Sequence, residues 1–406
     1  MVEKLKRMTE FEERIYSCVA VGDCTRGLKG PYSNPLLEAA CPMIDHSPGF
    51  EAFLARGKFA IARALLNNKI EPSEGLAEVL YQCTLCGSCR EACNNPENPC
   101  MTISARENIV DHIELWEALR ADLVDVGVAP MPRHKEIIGS MGDQHNPYFG
   151  KHDERLNWIP QDAKYLRKGG DALFFVGCTS AYRLNEISQN FLEIANKSDF
   201  NLTVIPDEWC CGSVSLRTGD LDISNKLAQH NFETFKNAEV NKIVATCAGC
   251  YKTLKNDYPK LISDWDFEVL HSIELINEEI KSGKIKIKNK IAGVMTYHDP
   301  CHLGRHSGVY NAPREVIDAI RADDFVEMRR NKKFAYCCGA GGGVKSGFPD
   351  VALEIAMDRF EEAENTGAQY LTTTCPFCLN NLKDAAMTKK TPIQVVDLVE
   401  LVKKAI

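Results

Sequence analysis

NKIVATCAGCYKTLK (Asn241–Lys255) is echoed further along the chain by AQYLTTTCPFCLNNLK (Ala368–Lys383). Each stretch is a short β-branched run, then C-x-x-C, then apolar residues at helical spacing, which reads as strand, cysteine turn and helix. Working outward, Cys178, Cys210 and Cys211 precede the first stretch, and Cys301, Cys337 and Cys338 precede the second. The chain therefore carries C-x31-C-C-G-x34-C-x2-C and then C-x35-C-C-G-x35-C-x2-C. Around these, DALFFVGCTS matches AGVMTYHDPCH, NLTVIPDEWCCG matches KKFAYCCGAGGG, and VLHSIELI matches VVDLVELV. Each half reads strand–cysteine–helix, strand–CCG, helix–strand–CxxC–helix, strand–helix. That alternation predicts parallel α/β sheets with the cysteines at the carboxyl ends of strands. A repeat of this length predicts two halves, 171–285 and 291–406, related by a pseudo-twofold.

Thiolates gathered this way bind soft metal, iron–sulfur clusters above all. Cys178, Cys210, Cys211, Cys247 and Cys250 form one candidate set, and Cys301, Cys337, Cys338, Cys375 and Cys378 the other. C-x-x-C at the mouth of a helix places thiolates near a positive helix end, which lowers their pKa. Gly212 and Gly339 would let backbone pass close to inorganic sulfur, where a Cβ would clash, and Gly341, Gly342 and Gly343 extend that freedom. Five cysteines per half exceed the four corners of an ordinary cube, and adjacent cysteines fit two corners poorly, so a non-standard cluster is implied. GAGGG lacks the Gly-x-Gly-x-x-Gly fingerprint of nucleotide sites.

The N-terminal third carries YQCTLCGSCREAC, with Cys83, Cys86, Cys89 and Cys93 spaced C-x2-C-x2-C-x3-C. Three such cysteines grip one cubane [4Fe–4S] cluster, and the fourth ligates a neighbouring one. Upstream stand Cys18, Cys24 and Cys41-Pro42, with Val21 where a regular motif has a cysteine. The resulting C-x5-C resembles the [3Fe–4S] site of succinate dehydrogenase and fumarate reductase iron–sulfur subunits. Cross-ligation would give Cys41, Cys83, Cys86 and Cys89 a cubane, and Cys18, Cys24 and Cys93 a three-iron cluster. Asp23 or Cys100 is an alternative fourth ligand, making a second [4Fe–4S] cluster. Between the motifs, Phe50, Phe53, Leu54, Phe59, Ile61, Ala62 and Leu65 fall at helical spacing, and a second helical run covers Asn108–Gly127. Residues 1–130 thus read as an α-helical two-cluster ferredoxin-type domain. Residues 131–170, rich in Pro, Gly and His, read as a linker.

With 406 residues and a net charge of −8, the chain shows no basic stripe for nucleic acid. Its 18 cysteines are clustered as pairs, and MVEKLKRMTEFEERIY has no apolar signal region, so a reducing, cytoplasmic compartment with metal-bound thiolates is expected. Apolar runs are strand-sized, so membrane association would come only through a partner.

The paired motifs resemble the CCG-domain family, and the full complement looks like the catalytic subunit of heterodisulfide reductase. The N-terminal two-cluster domain fused to two Rossmann-like CCG halves is similar to its D-type form. The resemblance implies two noncubane [4Fe–4S] clusters, one on each five-cysteine set, with a disulfide cleaved between them. The expected activity is reduction of a disulfide, such as a CoM-S-S-CoB-like heterodisulfide or a protein trisulfide. Electrons would come from a membrane cytochrome b or a soluble flavoprotein partner. His298, His302, Arg305 and His306 bracket Cys301 and are the catalytic candidates, as donors of protons to the leaving thiolates or holders of an anionic substrate. Hydrogen bonding to cluster sulfur is the plainer role for each. His271 aligns with Asp397 and reads as a helix start. The alternative function is an electron-transfer subunit linking a flavoprotein 2-hydroxy-acid or glycerol-3-phosphate dehydrogenase to a quinone or cytochrome.

Overall fold

The computed structural model describes residues 5–20, 22–26, 39–93 and 111–406. Two compact units form, each discontinuous in sequence. The first comprises the described residues of Met1–Glu136 with Val214–Leu221 and Arg329–Arg359. The second comprises Ile137–Ser213, Asp222–Met328 and Phe360–Ile406.

The second unit holds two parallel sheets. In one, β1 (Ala172–Phe175), β2 (Leu202–Thr203), β3 (Lys242–Ala245) and β4 (Glu268–His271) lie in the order β2-β1-β3-β4. In the other, β5 (Met295–Tyr297), β6 (Tyr370–Thr373) and β7 (Gln394–Asp397) lie in the order β5-β6-β7. Helices cover both faces of a parallel sheet, so its strands lose the polar alternation of a half-exposed sheet. Ala172, Leu173, Phe174 and Phe175 accordingly are all fully buried. Register sets Leu173 beside Ile243 and Ile243 beside Val269, and likewise Leu371 beside Val395.

The repeats pack reciprocally. Helix Asn185–Lys197 follows the first cysteine of one half and packs on Leu398–Ala405, the last helix of the other. Its counterpart, Asn311–Ile320, packs on Ser272–Lys281. A swapped pair of equivalent contacts is what a twofold relation generates. His271 and Asp397 occupy equivalent N-caps: the His271 side chain accepts from the Ile273 N–H, and the Asp397 carboxyl from the Val399 N–H at 3.0 Å.

One predicted strand is missing. KKFAY, the counterpart of β2 by sequence, forms instead a 3-10 turn at Lys332–Phe334. The place of β2 is taken by an isolated parallel bridge between Met295 and Phe325. The segment Arg329–Arg359, with the second Cys-Cys-Gly, belongs to the other unit and so contributes no strand to this sheet.

In the first unit, helices Ala55–Leu66, Glu74–Tyr81 and His112–Asp125 close on a core of Phe59, Leu65, Tyr81, Trp116 and Leu119. Ser73 and Asp111 cap two of them. The first helix begins five residues later than its apolar periodicity suggests, after a 3-10 turn at Glu51–Phe53, which leaves Phe50 69% exposed. Among the described residues, no helix is long and apolar enough to cross a membrane.

Burial lifts the Asp397 carboxyl to about 8. In the unfolded chain an Asp titrates at about 3.9, so the fold holds a proton the unfolded chain has released. Stability from this group is therefore full below about pH 4 and lost as pH rises toward 8. Asp397→Asn keeps the acceptor oxygen and removes the titration. Chemical denaturation at pH 5 and pH 8 should show the wild type weakening relative to this variant; parallel behaviour would refute the assignment.

Candidate metal centres

All seventeen described cysteines are free thiols. In the second unit, sulfhydryl hydrogen bonds link seven of them in series: Cys178, Cys210, Cys211, Cys250, Cys247, Cys375 and Cys378. The first five are the complete first set, and all seven are buried. The step from Cys247 to Cys375 joins the two repeats at equivalent positions, each the N-cap of its helix, Ala248–Lys252 or Pro376–Lys389.

The thiols do not all behave alike. Donation from Cys210 and Cys250 lowers Cys211 to about 6, and donation from Cys250 and Cys375 holds Cys247 well below the usual thiol range. Their donors move the other way, Cys250 well up and Cys375 to about 12. Sequence reasoning lowers both members of each C-x-x-C. The structure lowers Cys247 alone of the first pair and raises Cys375 of the second, because buried negative charges repel and do not readily form side by side. A donor set of soft sulfur packed this closely fits an iron–sulfur cluster.

The glycines have mixed duties. Gly212 (φ +83°) and Gly339 (φ +85°) both turn through the left-handed region. Each donates its N–H to the thiol two residues earlier, Gly339 to Cys337 Sγ at 3.3 Å. A Cβ on Gly339 would also strike the Ala352 carbonyl and stand 3.0 Å from Ile355 Cβ, so helix packing alone demands glycine there. Sequence reasoning missed Gly177, where a Cβ would lie 3.0 Å from Cys250 Sγ. It also misread Gly341–Gly343, whose missing Cβ atoms make room for the Cys83 and Thr84 carbonyls and the His134 ring.

Arg155, from the segment read as a linker, reaches the first set. It donates to Cys178 Sγ at 3.6 Å and pairs with buried Glu208, whose oxygens accept from the N–H groups of Val176 (2.8 Å) and Gly177 (2.9 Å). The carboxylate thus fixes the turn that presents Cys178. Trp209, preceding the first Cys-Cys, is stacked between His145 and His230 at ring distances of 3.5 and 3.6 Å.

The candidate histidines divide. His298 is 1% exposed and has a ring nitrogen within 4.8 Å of Cys378 Sγ. Cys301, His302 and His306 are half-buried with potential ligand atoms all within 4.8 Å of one another. A Cβ on Gly249 would lie 3.6 Å from both His302 Nδ1 and Cys247 Sγ, so His302 from the second repeat faces the first repeat's C-x-x-C. Arg305 is buried at 7% exposure. Of the second cysteine set, Cys301, Cys375 and Cys378 belong to this unit, and Cys337 and Cys338 to the first.

In the first unit the thiols bear on one another's charge both within and across the two expected sets, Cys24 on Cys89 and Cys41 on Cys24 included. Burial pushes the Cys41 thiol up to about 12, with Lys58 pulling it down and Cys83 and Cys86 pushing it further up. Cys89 is raised by burial and then by Cys83, Cys41 and Cys86. Cys24 is raised to about 12 by burial and then by Cys93, Cys18 and Cys41. Val21 and Cys100 lie outside the described residues.

Two parallel α/β repeats with clustered thiols at their strand ends define a class of cysteine-rich iron–sulfur oxidoreductases. The cysteine-rich CCG domain matches residues 172–255 and 295–383. The chain is 40% identical over 338 residues, 82% of this chain and 79% of the relative, to the D-type subunit of the dihydromethanophenazine:CoB--CoM heterodisulfide reductase of Methanosarcina mazei. Against its counterpart in Methanosarcina barkeri, identity is 35% over 409 residues, 96% of this chain and 93% of the relative. The B-type subunit of the fumarate reductase (CoM/CoB) of Methanothermobacter marburgensis is 31% identical over 374 residues, 90% of this chain and 70% of the relative. The chain belongs to the family of D-type heterodisulfide reductase subunits and is an iron–sulfur oxidoreductase.

Removing Arg155 strands the buried Glu208 carboxylate. Arg155→Met should destabilise the protein by about 3–5 kcal/mol and reduce iron bound by the first set, and Arg155→Met/Glu208→Gln should restore most of the stability. Thermal denaturation of the three proteins checks this; an additive double variant would show the pair is not the cause.

Proposed function

We propose that the chain reduces a disulfide joining two different thiols, of the CoB–CoM heterodisulfide type, as the catalytic subunit of a complex. The observation that carries this is the unbroken run of buried thiols through both C-x-x-C pairs. Two metal-binding halves that meet through such a run suit a substrate with two sulfurs to be held separately. The reaction is R–S–S–R′ plus two electrons and two protons giving RSH and R′SH. Bound clusters would supply the one-electron chemistry, so that neither sulfur leaves as a radical.

Cys178, Cys210, Cys211, Cys247 and Cys250 would hold one noncubane [4Fe–4S] cluster. By the repeat, Cys301, Cys337, Cys338, Cys375 and Cys378 would hold the other. The ferredoxin-like N-terminal part would hold a cubane on Cys41, Cys83, Cys86 and Cys89 and a three-iron cluster on Cys18, Cys24 and Cys93. His302, His306 and Arg305 offer N–H donors beside Cys301 and would hold the departing sulfur or an anionic arm of the substrate. His298, buried near Cys378, would orient a cluster ligand.

Electrons would arrive from a redox partner, either a membrane cytochrome b or a soluble flavoprotein, leaving the chain cytoplasmic or peripheral to a membrane. A second reading has one observation in its favour. The EtfAB:quinone oxidoreductase of Syntrophomonas wolfei is 27% identical over 433 residues, 96% of this chain and 58% of the relative. On that reading the chain only relays electrons.

The ligand sets predict about fifteen irons per chain, eight, four and three. Iron and zinc analysis of anaerobically purified protein checks the number, and zinc in place of iron would refute it. Cys211→Ser and Cys338→Ser should each abolish disulfide reduction while EPR of the dithionite-reduced protein still shows the Cys83 cubane. Retention of most turnover by Cys338→Ser would favour the relay reading.

A further inference from the structure

Arg120, on helix His112–Asp125, is 1% exposed, and its four hydrogen bonds all end on main-chain carbonyls. Nη1 donates to the Arg217 oxygen (2.8 Å) and the Gly342 oxygen (2.7 Å), and Nη2 to the oxygens of Leu80 and Cys83, both at 2.8 Å. Nε has no hydrogen-bond partner, and the guanidinium sits 4.6 Å from the centre of the Tyr81 ring. Glu117, one turn earlier, makes its ion pair with Arg217 at 3.1 Å. A buried cation is costly unless an anion offsets it, and carbonyl dipoles offset only part. Four thiolates around a cube carry net negative charge, which is the complement this guanidinium calls for.

A second observation ties the same side chain to the second repeat. A Cβ on Gly341 would lie 2.6 Å from the Thr84 oxygen, and one on Gly342 would strike the Cys83 oxygen. The loop after Cys337-Cys338 therefore rests directly on the backbone that carries Cys83. Arg120 bridges the two, with one hydrogen bond to each side. On helix Ala55–Leu66, Lys58 is 2% exposed, and its charge bears on Cys41. Positive charge thus borders this candidate centre from two helices.

We propose that Arg120 is a positioning residue of the electron path. With Lys58 it raises the reduction potential of the centre on Cys41, Cys83, Cys86 and Cys89, and it fixes that centre against the Cys337-Cys338 loop. Clusters bound there would supply one-electron transfer, and Arg120 holds the Cys83 backbone and the loop after Cys337-Cys338 together along that path. The inference rests on the cubane assignment above but not on the identity of the substrate.

The test is an EPR-monitored redox titration of the full chain, purified anaerobically, following the cubane signal. Arg120→Gln should shift the reduction equilibrium about tenfold toward the oxidised form, a fall of about 59 mV for a one-electron centre. Arg120→Lys, which keeps the charge, should stay near the wild-type potential, and Lys58→Met should fall in the same direction as Arg120→Gln. If Arg120→Gln does not retain the cubane, Lys58→Met decides. An unchanged potential in Lys58→Met, or a fall in Arg120→Lys as large as in Arg120→Gln, overturns the proposal. Wild-type protein with the cubane signal but no disulfide turnover would count against the proposed function and leave this test standing.

Discussion

The Cys247 and Cys375 thiols meet where the two repeats join, close enough that each shifts the other's titration, and the second unit is built around that meeting point. Two buried sulfurs at equivalent positions can approach only if each sits at the mouth of its helix, following β3 in one half and β6 in the other. That placement in turn needs the parallel sheets, whose strands β1 and β5 lead to Cys178 and Cys301. The swapped helix pairs, Asn185–Lys197 on Leu398–Ala405 and Ser272–Lys281 on Asn311–Ile320, tie the two halves together. Cys211 and Cys247 are pulled below the usual thiol range while Cys250 and Cys375 are pushed above it. The pattern makes physical sense as a cage for cations.

The repeat was legible because cysteine spacing and strand patterning agree at two places in one chain, so each half vouches for the other. The caps at His271 and Asp397 were legible for the same reason. Features that rest on tertiary contact were not. KKFAY has strand composition but no free sheet edge, because its segment folds with a different unit. Gly341–Gly343 look like sulfur-side glycines, yet what they accommodate is the backbone at Cys83 and Thr84. Arg155 and Arg120 carry no sequence signal, because a lone arginine in a helix or a Pro-rich stretch is ordinary until its burial is known. Phe50 fits a helical periodicity that its own turn at Glu51–Phe53 interrupts.

The first unit shows how charge is managed when ligands are local in sequence. Cys83 and Cys86 lie on one short loop and Cys89 on the helix Ser88–Cys93 that follows it, and burial pushes Cys89 well up. Lysine and arginine side chains from two separate helices then supply the positive field. In the second unit, the guanidinium of Arg155 plays the corresponding part for Cys178, but there a carboxylate, Glu208, shares it.

The sequence-discontinuous units also impose an order on synthesis. The first repeat's five cysteines all lie between residues 178 and 250, so they can gather soon after that stretch leaves the ribosome. The N-terminal unit cannot close until Arg329–Arg359 has emerged, because that segment supplies part of its packing. Until then the Cys83 loop lacks the glycine stretch that rests on it. Although its cysteines are made first, the N-terminal half is completed late, and its thiols wait for part of their packing for most of translation.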